Sequence, residues 1–244
     1  MAGNWKMYKT AAETTAFFEK FAPLVKQSVH ADAVICPTFV NIPAAVAATQ
    51  GTRIEIGGQN LYWMIEGGLA GEISGPMLKA AGARWVIVGH SERRQYFGET
   101  DATVLQRTVA ALEAGLNPIV CVGERLEQRE SGNTEGVLKT QFDGGLAGLT
   151  PEQFAKVTIA YEPVWAIGTG KTATPEMAAD AHKFIRAQVA AKFGAEQAAA
   201  TRILYGGSVK PDNVKSLMAQ PGIDGSLVGG ASLEAVSFSL IVNF

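Results

Sequence analysis

The chain has 244 residues, of which 47% are hydrophobic, enough for a substantial core, and its formal net charge of -2 favours neither a nucleic-acid groove nor an acidic membrane surface as partner. Its two cysteines, Cys36 and Cys121, stand far apart inside apolar runs with no C-x-x-C or zinc spacing, which predicts reduced thiols and a cytoplasmic protein. No apolar run approaches the roughly 20 residues of a membrane span, and the first residues carry no signal-peptide pattern.

A very short first strand is predicted around Ala2–Trp5. Thr10-Ala11-Ala12-Glu13 follows with the form of a capping box, in which hydroxyl and carboxylate each satisfy a backbone N–H at a helix start. Runs rich in β-branched and apolar residues then predict strands at Ala33–Cys36, Ile54–Gly58, Trp85–Gly89 and Pro118–Gly123. A second capping box, Thr150-Pro151-Glu152-Gln153, precedes a strand at Val157–Glu162. Thr174-Pro175 opens a helix that sets Ala181, Ile185, Val189 and Phe193 on one stripe and stops near Gly194. The last strands are predicted at Ile203–Gly206 and Ser226–Gly229. The runs lack polar alternation, as parallel strands buried on both faces do. About eight strand–helix units predict an α/β fold of one domain over residues 1–244, a closed (β/α)8 barrel, for which roughly 250 residues is the usual length. An open doubly wound sheet is the alternative, but no G-x-G-x-x-G follows the first strand.

The active site of such a barrel lies at the C-terminal ends of its strands. There the sequence places Asn4-Trp5-Lys6, His90-Ser91-Glu92-Arg93-Arg94, Glu162-Pro163-Val164-Trp165, Gly206-Gly207-Ser208 and Gly229-Gly230. Each residue has a mundane reading alone: a histidine is usually structural or solvated, as His30 and His182 read here, a lysine near a terminus is usually surface, and a glutamate closing a strand often caps a turn. Their convergence on one face argues for a site.

These segments, extended to Gly89 through Arg94, Tyr161 through Thr172, Tyr205 through Val209 and Gly229 through Ser232, resemble the signatures of the triosephosphate isomerase family, in order and over nearly the whole chain. The resemblance implies a TIM barrel that interconverts dihydroxyacetone phosphate and D-glyceraldehyde 3-phosphate, without metal or organic cofactor. It implies Glu162 as the base, His90 as a neutral electrophile at the N-terminal end of a short helix begun at Ser91, Lys6 as a fixed positive charge and Asn4 as a polar contact. Glu92 is expected beside Lys6, as a supporting or proton-handling group. Backbone N–H groups of Gly168, Ser208, Gly229 and Gly230 are expected to grip the phosphate, since glycine allows close approach.

Gly168-Thr169-Gly170-Lys171-Thr172 is superficially like a nucleotide-binding P-loop, but the earlier glycine that motif needs is replaced by Trp165. The better reading is a lid hinged at Pro163–Trp165 and Lys171–Ala173 that excludes water on closing. Two features depart clearly from the family pattern and a third, at Tyr8, more mildly. Only Met1-Ala2-Gly3 precede Asn4, so the first strand is expected to be short and to leave Lys6 weakly supported. Ala70 stands where the family usually has a threonine reaching toward a partner subunit, and Tyr8 where asparagine is common. The apolar run Leu61-Tyr62-Trp63-Met64-Ile65 lies in a connecting loop, and the resemblance implies that it docks on a second copy in a two-fold dimer. A Schiff-base aldolase would need a lysine on an inner strand, and the predicted strands contain none. A catalytically dead barrel kept as a scaffold would be expected to lack Glu162, His90 or Lys6, and all three are present.

Overall fold

Side chains start the helices where the sequence places them: Thr10 and Thr150 each form a complete capping box, and the Thr174 hydroxyl accepts the N–H of Met177. The computed structural model describes residues 1–167 and 172–244, so Gly168, the tip of the predicted lid and the start of its second hinge lie outside the described residues. Eight strands alternate with the helices: β1 (Ala2–Asn4), β2 (Val34–Cys36), β3 (Glu55–Gly58), β4 (Trp85–Val88), β5 (Asn117–Val122), β6 (Thr158–Tyr161), β7 (Ile203–Tyr205) and β8 (Gly225–Val228). All pair in parallel in chain order, and β1 closes the barrel against β8.

The first strand is short, as expected, but it is fully engaged. Ala2, Gly3 and Asn4 pair with β2 on one side, and Ala2 and Gly3 pair with β8 on the other. The ladder continues past both ends, with Val34 N donating to Met1 O at 2.9 Å and Trp5 N donating to Cys36 O at 3.1 Å.

The core has two compartments. Ala2, Val34, Cys36, Ile87, Ile119, Cys121, Ala160, Leu204 and Leu227 fill the barrel interior, whereas a larger cluster lies between strands and helices. Side chains two residues apart on a strand share a face. The interior positions Ala2, Ala160, Leu204 and Leu227 therefore dictate that Asn4, Glu162, Gly206 and Gly229 are the next inward positions toward the C-terminal mouth. The helix Pro175–Phe193 buries Ala181, Ile185 and Val189, and Phe193 stacks on Phe154 at 4.0 Å.

The apolar run at residues 61–65 divides. Leu61 is fully buried, and Tyr62 stacks on Trp63 at 3.9 Å with the Arg107 guanidinium over the Trp63 ring. Only Met64 and Ile65 project, 47% and 70% exposed. The first three residues of the run thus fold back onto their own barrel, where contact with the buried Arg107 shelters the aromatic rings.

Candidate active site

A cavity of about 270 Å³ opens at the C-terminal mouth of the barrel and is lined by Asn4, Lys6, His90, Glu162, Ser208, Gly229 and Gly230 among others. It therefore unites the described residues that the sequence singled out, except Glu92, which lines a neighbouring cavity on the other side of Lys6.

Glu162 follows β6 and keeps the ladder, its N–H donating to Val122 O at 2.8 Å. Its carboxylate is 3% exposed and has two donors: His90 Nε2 lies 2.9 Å from Oε1, and Ser91 N–H donates to Oε2 at 3.0 Å. Glycine makes room for Glu162 on two sides, once for its side chain and once for its backbone. A Cβ at Gly206 would fall 2.8 Å from Glu162 Cγ, and one at Gly123 would fall 1.7 Å from Glu162 O. Burial alone would raise the Glu162 carboxyl, but the His90 ring, the Ser91 N–H and the Lys6 charge together hold it below the ordinary carboxylate range.

His90 ends β4's exit and is the N-cap of the helix Ser91–Tyr96. Its Nδ1 accepts the N–H of Glu92 at 3.2 Å, and because a backbone amide can only donate, Nδ1 carries no proton. The single proton of the neutral ring is then on Nε2, directed at Glu162. Burial is the largest single influence and favours the neutral ring, but the charge and hydrogen bond of Glu162, helped by the Glu92 charge, together outweigh it and raise the ring's pKa. That pull lasts only while Glu162 is an anion. Once Glu162 takes up a proton, burial and the helix N-terminus both favour neutral imidazole.

Lys6 is well supported, contrary to the expectation drawn from the short strand. Its backbone adopts φ 51, a left-handed conformation uncommon for a residue with a side chain. Groups on either side hold it there: its N–H donates to Asn4 Oδ1 at 3.0 Å, and Gln59 Nε2 donates to its carbonyl at 2.8 Å and to Cys36 O at 2.9 Å. Its ammonium pairs with Glu92 at 2.5 Å. Support comes from the ends of β2 and β3 rather than from residues ahead of Asn4.

The phosphate-binding candidates line the same cavity. Gly229 precedes the 3-10 turn Gly230–Leu233, whose leading N–H groups have no acceptor within the turn. A Cβ on Gly229 would lie 3.7 Å from Lys6 Cε, which puts the glycine pair beside the lysine stem. Ser208 lies just past β7 on the same cavity wall.

Sequence reasoning overlooked Gln59 and Glu124. Glu124 is fully buried and accepts from Tyr161 Oη at 3.1 Å and Trp165 Nε1 at 3.0 Å, with Arg129 at 3.2 Å. Its carbonyl accepts Val164 N–H at 3.0 Å, so it anchors the 163–165 segment expected to be a hinge. Both residues immediately follow strand-ending glycines, Gly58 and Gly123, so extending the search to the ends of β3 and β5 would have found them. Of the other histidines, His182 is structural: Nδ1 lies 3.0 Å from Gly222 O, and burial pushes its pKa down to about 4. His30 is exposed.

Comparison with known proteins agrees with this geometry. The family model for triosephosphate isomerase matches residues 1–244. The chain is 69% identical over 244 residues to the triosephosphate isomerase of Solibacter usitatus, covering 100% of this chain and 98% of that one. It is 55% identical to that of Citrifermentans bemidjiense, covering 100% and 97%. The crystal structure of triosephosphate isomerase from Bartonella henselae superposes with a TM-score of 0.89 at 41% identity, covering 99% of this chain and 96% of that one. The chain belongs to the triosephosphate isomerase family, an aldose–ketose isomerase that interconverts dihydroxyacetone phosphate and D-glyceraldehyde 3-phosphate.

Proposed function

We propose that Glu162 is the base that removes a proton from the carbon next to the substrate carbonyl and returns it to the adjacent carbon. A substrate bound between Glu162 and His90 takes over both partners of their contact. Its C–H faces the carboxylate, and its carbonyl oxygen receives the Nε2–H of His90. As the proton leaves, the electron pair moves onto that oxygen, and the enediolate is stabilised by His90 Nε2–H, the Lys6 ammonium and the Asn4 amide. His90 gives its Nε2 proton to that oxygen and takes back the proton of the neighbouring hydroxyl, whose oxygen becomes the new carbonyl as the carbon is reprotonated. Glu92 holds Lys6 in place. N–H groups at Ser208, Gly229 and Gly230 hold the phosphate, and Gly168 completes the grip. The observation that carries this reading is the buried Glu162 carboxylate 2.9 Å from an imidazole nitrogen whose partner nitrogen is already engaged.

The test is a coupled assay of glyceraldehyde 3-phosphate conversion with the unmodified protein and Glu162→Gln, which keeps size and packing but accepts no proton. General-base loss is expected to cost on the order of 10²–10⁴ in turnover. Binding of an inert phosphate-bearing analogue is expected to weaken far less. Near-normal turnover by Glu162→Gln would sink the assignment.

A homodimer is proposed through the loop at residues 61–65. Met64 and Ile65 project from it, and Met7, Tyr8 and Phe97 are also 57% or more exposed, so apolar surface is available to a second copy. Ala70 cannot supply the polar reach the family's threonine does, and apolar burial is expected to sustain the dimer without it. Light scattering is expected to give a dimer at micromolar concentration and a monomer after Met64→Asp with Ile65→Asp; a monomeric unmodified protein would refute it. The two buried thiols, Cys36 and Cys121, suit a reducing cytoplasm, where we place the protein.

A further inference from the structure

We propose that Lys210 is the residue that captures the substrate's phosphate as it approaches the barrel mouth, a specificity-determining role beyond the groups that act on the triose. The inference rests on the phosphate cleft assigned above and concerns what draws a dianion into it.

The charge around the cavity poses the problem. Glu162 is an anion at its floor, and Lys6 is neutralised by Glu92 at 2.5 Å. Those three groups, Glu92 lying just beyond Lys6, sum to one net negative charge in and beside the cavity that a doubly negative substrate must enter. Lys210 lines the same cavity, is exposed, and makes no ion pair among the described residues. It therefore offsets the excess negative charge with an uncommitted cation at the rim.

Its backbone is fixed rather than loose. Lys210 N–H donates to Asn213 Oδ1 at 2.8 Å, its carbonyl accepts Val214 N–H at 3.0 Å, and Asn213 Nδ2 donates back to Ser208 O at 3.0 Å. The same asparagine thus ties Lys210 to Ser208, two residues away on the cavity wall. A cation in this position focuses the field at a cleft entrance and raises the capture rate of an anion without touching the reacting carbons.

The assignment predicts a split between kinetic parameters. At low ionic strength Lys210→Met is expected to lower kcat/KM for glyceraldehyde 3-phosphate about 10-fold, with kcat within about twofold. The deficit is expected to shrink in 0.5 M salt, where the screening length falls to roughly 4 Å. Conversion of glyceraldehyde lacking the phosphate is expected to be unaffected, and Lys210→Arg is expected to restore kcat/KM. Unchanged kcat/KM and unchanged salt dependence in Lys210→Met would overturn the assignment, as would an equal loss with the phosphate-free substrate. Inorganic phosphate separates this from the reading it rests on. If phosphate fails to compete with substrate on the unmodified protein, the phosphate cleft falls and Lys210 with it. If phosphate competes equally well against Lys210→Met and the unmodified protein, the cleft stands and the Lys210 assignment falls.

Discussion

Two contacts between ionisable groups at opposite ends of the same barrel are almost the same length. Arg202 and Asp32 meet at 2.8 Å near the N-terminal ends of the strands, and His90 and Glu162 meet at 2.9 Å at the C-terminal mouth. What differs is burial. The side chains of the first pair are 56% and 51% exposed, and those of the second 7% and 3%. Water and salt screen the first, so it contributes about 0–1 kcal/mol. The second is withheld from water, so each member sets the charge preference of the other. Distance does not distinguish an ornamental pair from a chemical one; the surroundings do. The strands supply those surroundings by changing the inward residue from apolar, at Ala160 and Leu204, to Glu162 and Gly206 two positions on.

The sharpest way to break the buried end outside the reacting groups is Glu124→Ala. It leaves Tyr161 Oη and Trp165 Nε1 without this acceptor at a site closed to water and frees Arg129. Loss of such a buried acceptor is expected to cost about 3 kcal/mol in urea unfolding, and to reduce kcat/KM because the 163–165 segment loses its anchor. Stability within about 0.5 kcal/mol of the unmodified protein would mean that other partners of these groups take over.

The matching change at the exposed end is expected to do little. Arg202→Ala removes a pair of nearly identical length, yet unfolding free energy is expected to fall by less than about 1 kcal/mol and turnover to stay unchanged. A loss comparable to that of Glu124→Ala would show that exposure is a poor guide to the worth of a pair here.

The two ends were also unequally legible in the sequence. The barrel was readable throughout, because parallel strands buried on both faces are written as continuous apolar runs and the capping boxes at Thr10 and Thr150 mark helix starts outright. Glu162, His90, Lys6 and Asn4 stood out because polar residues converge there at the ends of apolar runs, and the roles proposed for them came from the family resemblance. The predicted strands overran at Gly89, Gly123, Glu162, Gly206 and Gly229, since composition does not show where the ladder stops. Gln59 was missed because its task is to hold a carbonyl of Lys6 whose φ of 51 leaves no mark in the sequence. The run at residues 61–65 looked uniformly apolar, and the sequence gives no sign that Arg107, far along the chain, lies over the Trp63 ring while Ile65 projects.

The central claim is that the charge on Glu162 sets the proton affinity of His90, so that a proton arriving on the base leaves a neutral imidazole facing the substrate oxygen. Its most direct test is the titration of His90 followed by ¹H–¹⁵N NMR in the unmodified protein and in Glu162→Gln. The carboxylate raises the His90 pKa above the ordinary 6.5, and burial lowers it. Removing the charge leaves burial, the largest influence, and Lys6 against the smaller upward pull of Glu92, so the midpoint is expected to fall below 6.5 in Glu162→Gln, with Nδ1 unprotonated above it. A midpoint that is the same in both proteins would contradict the account.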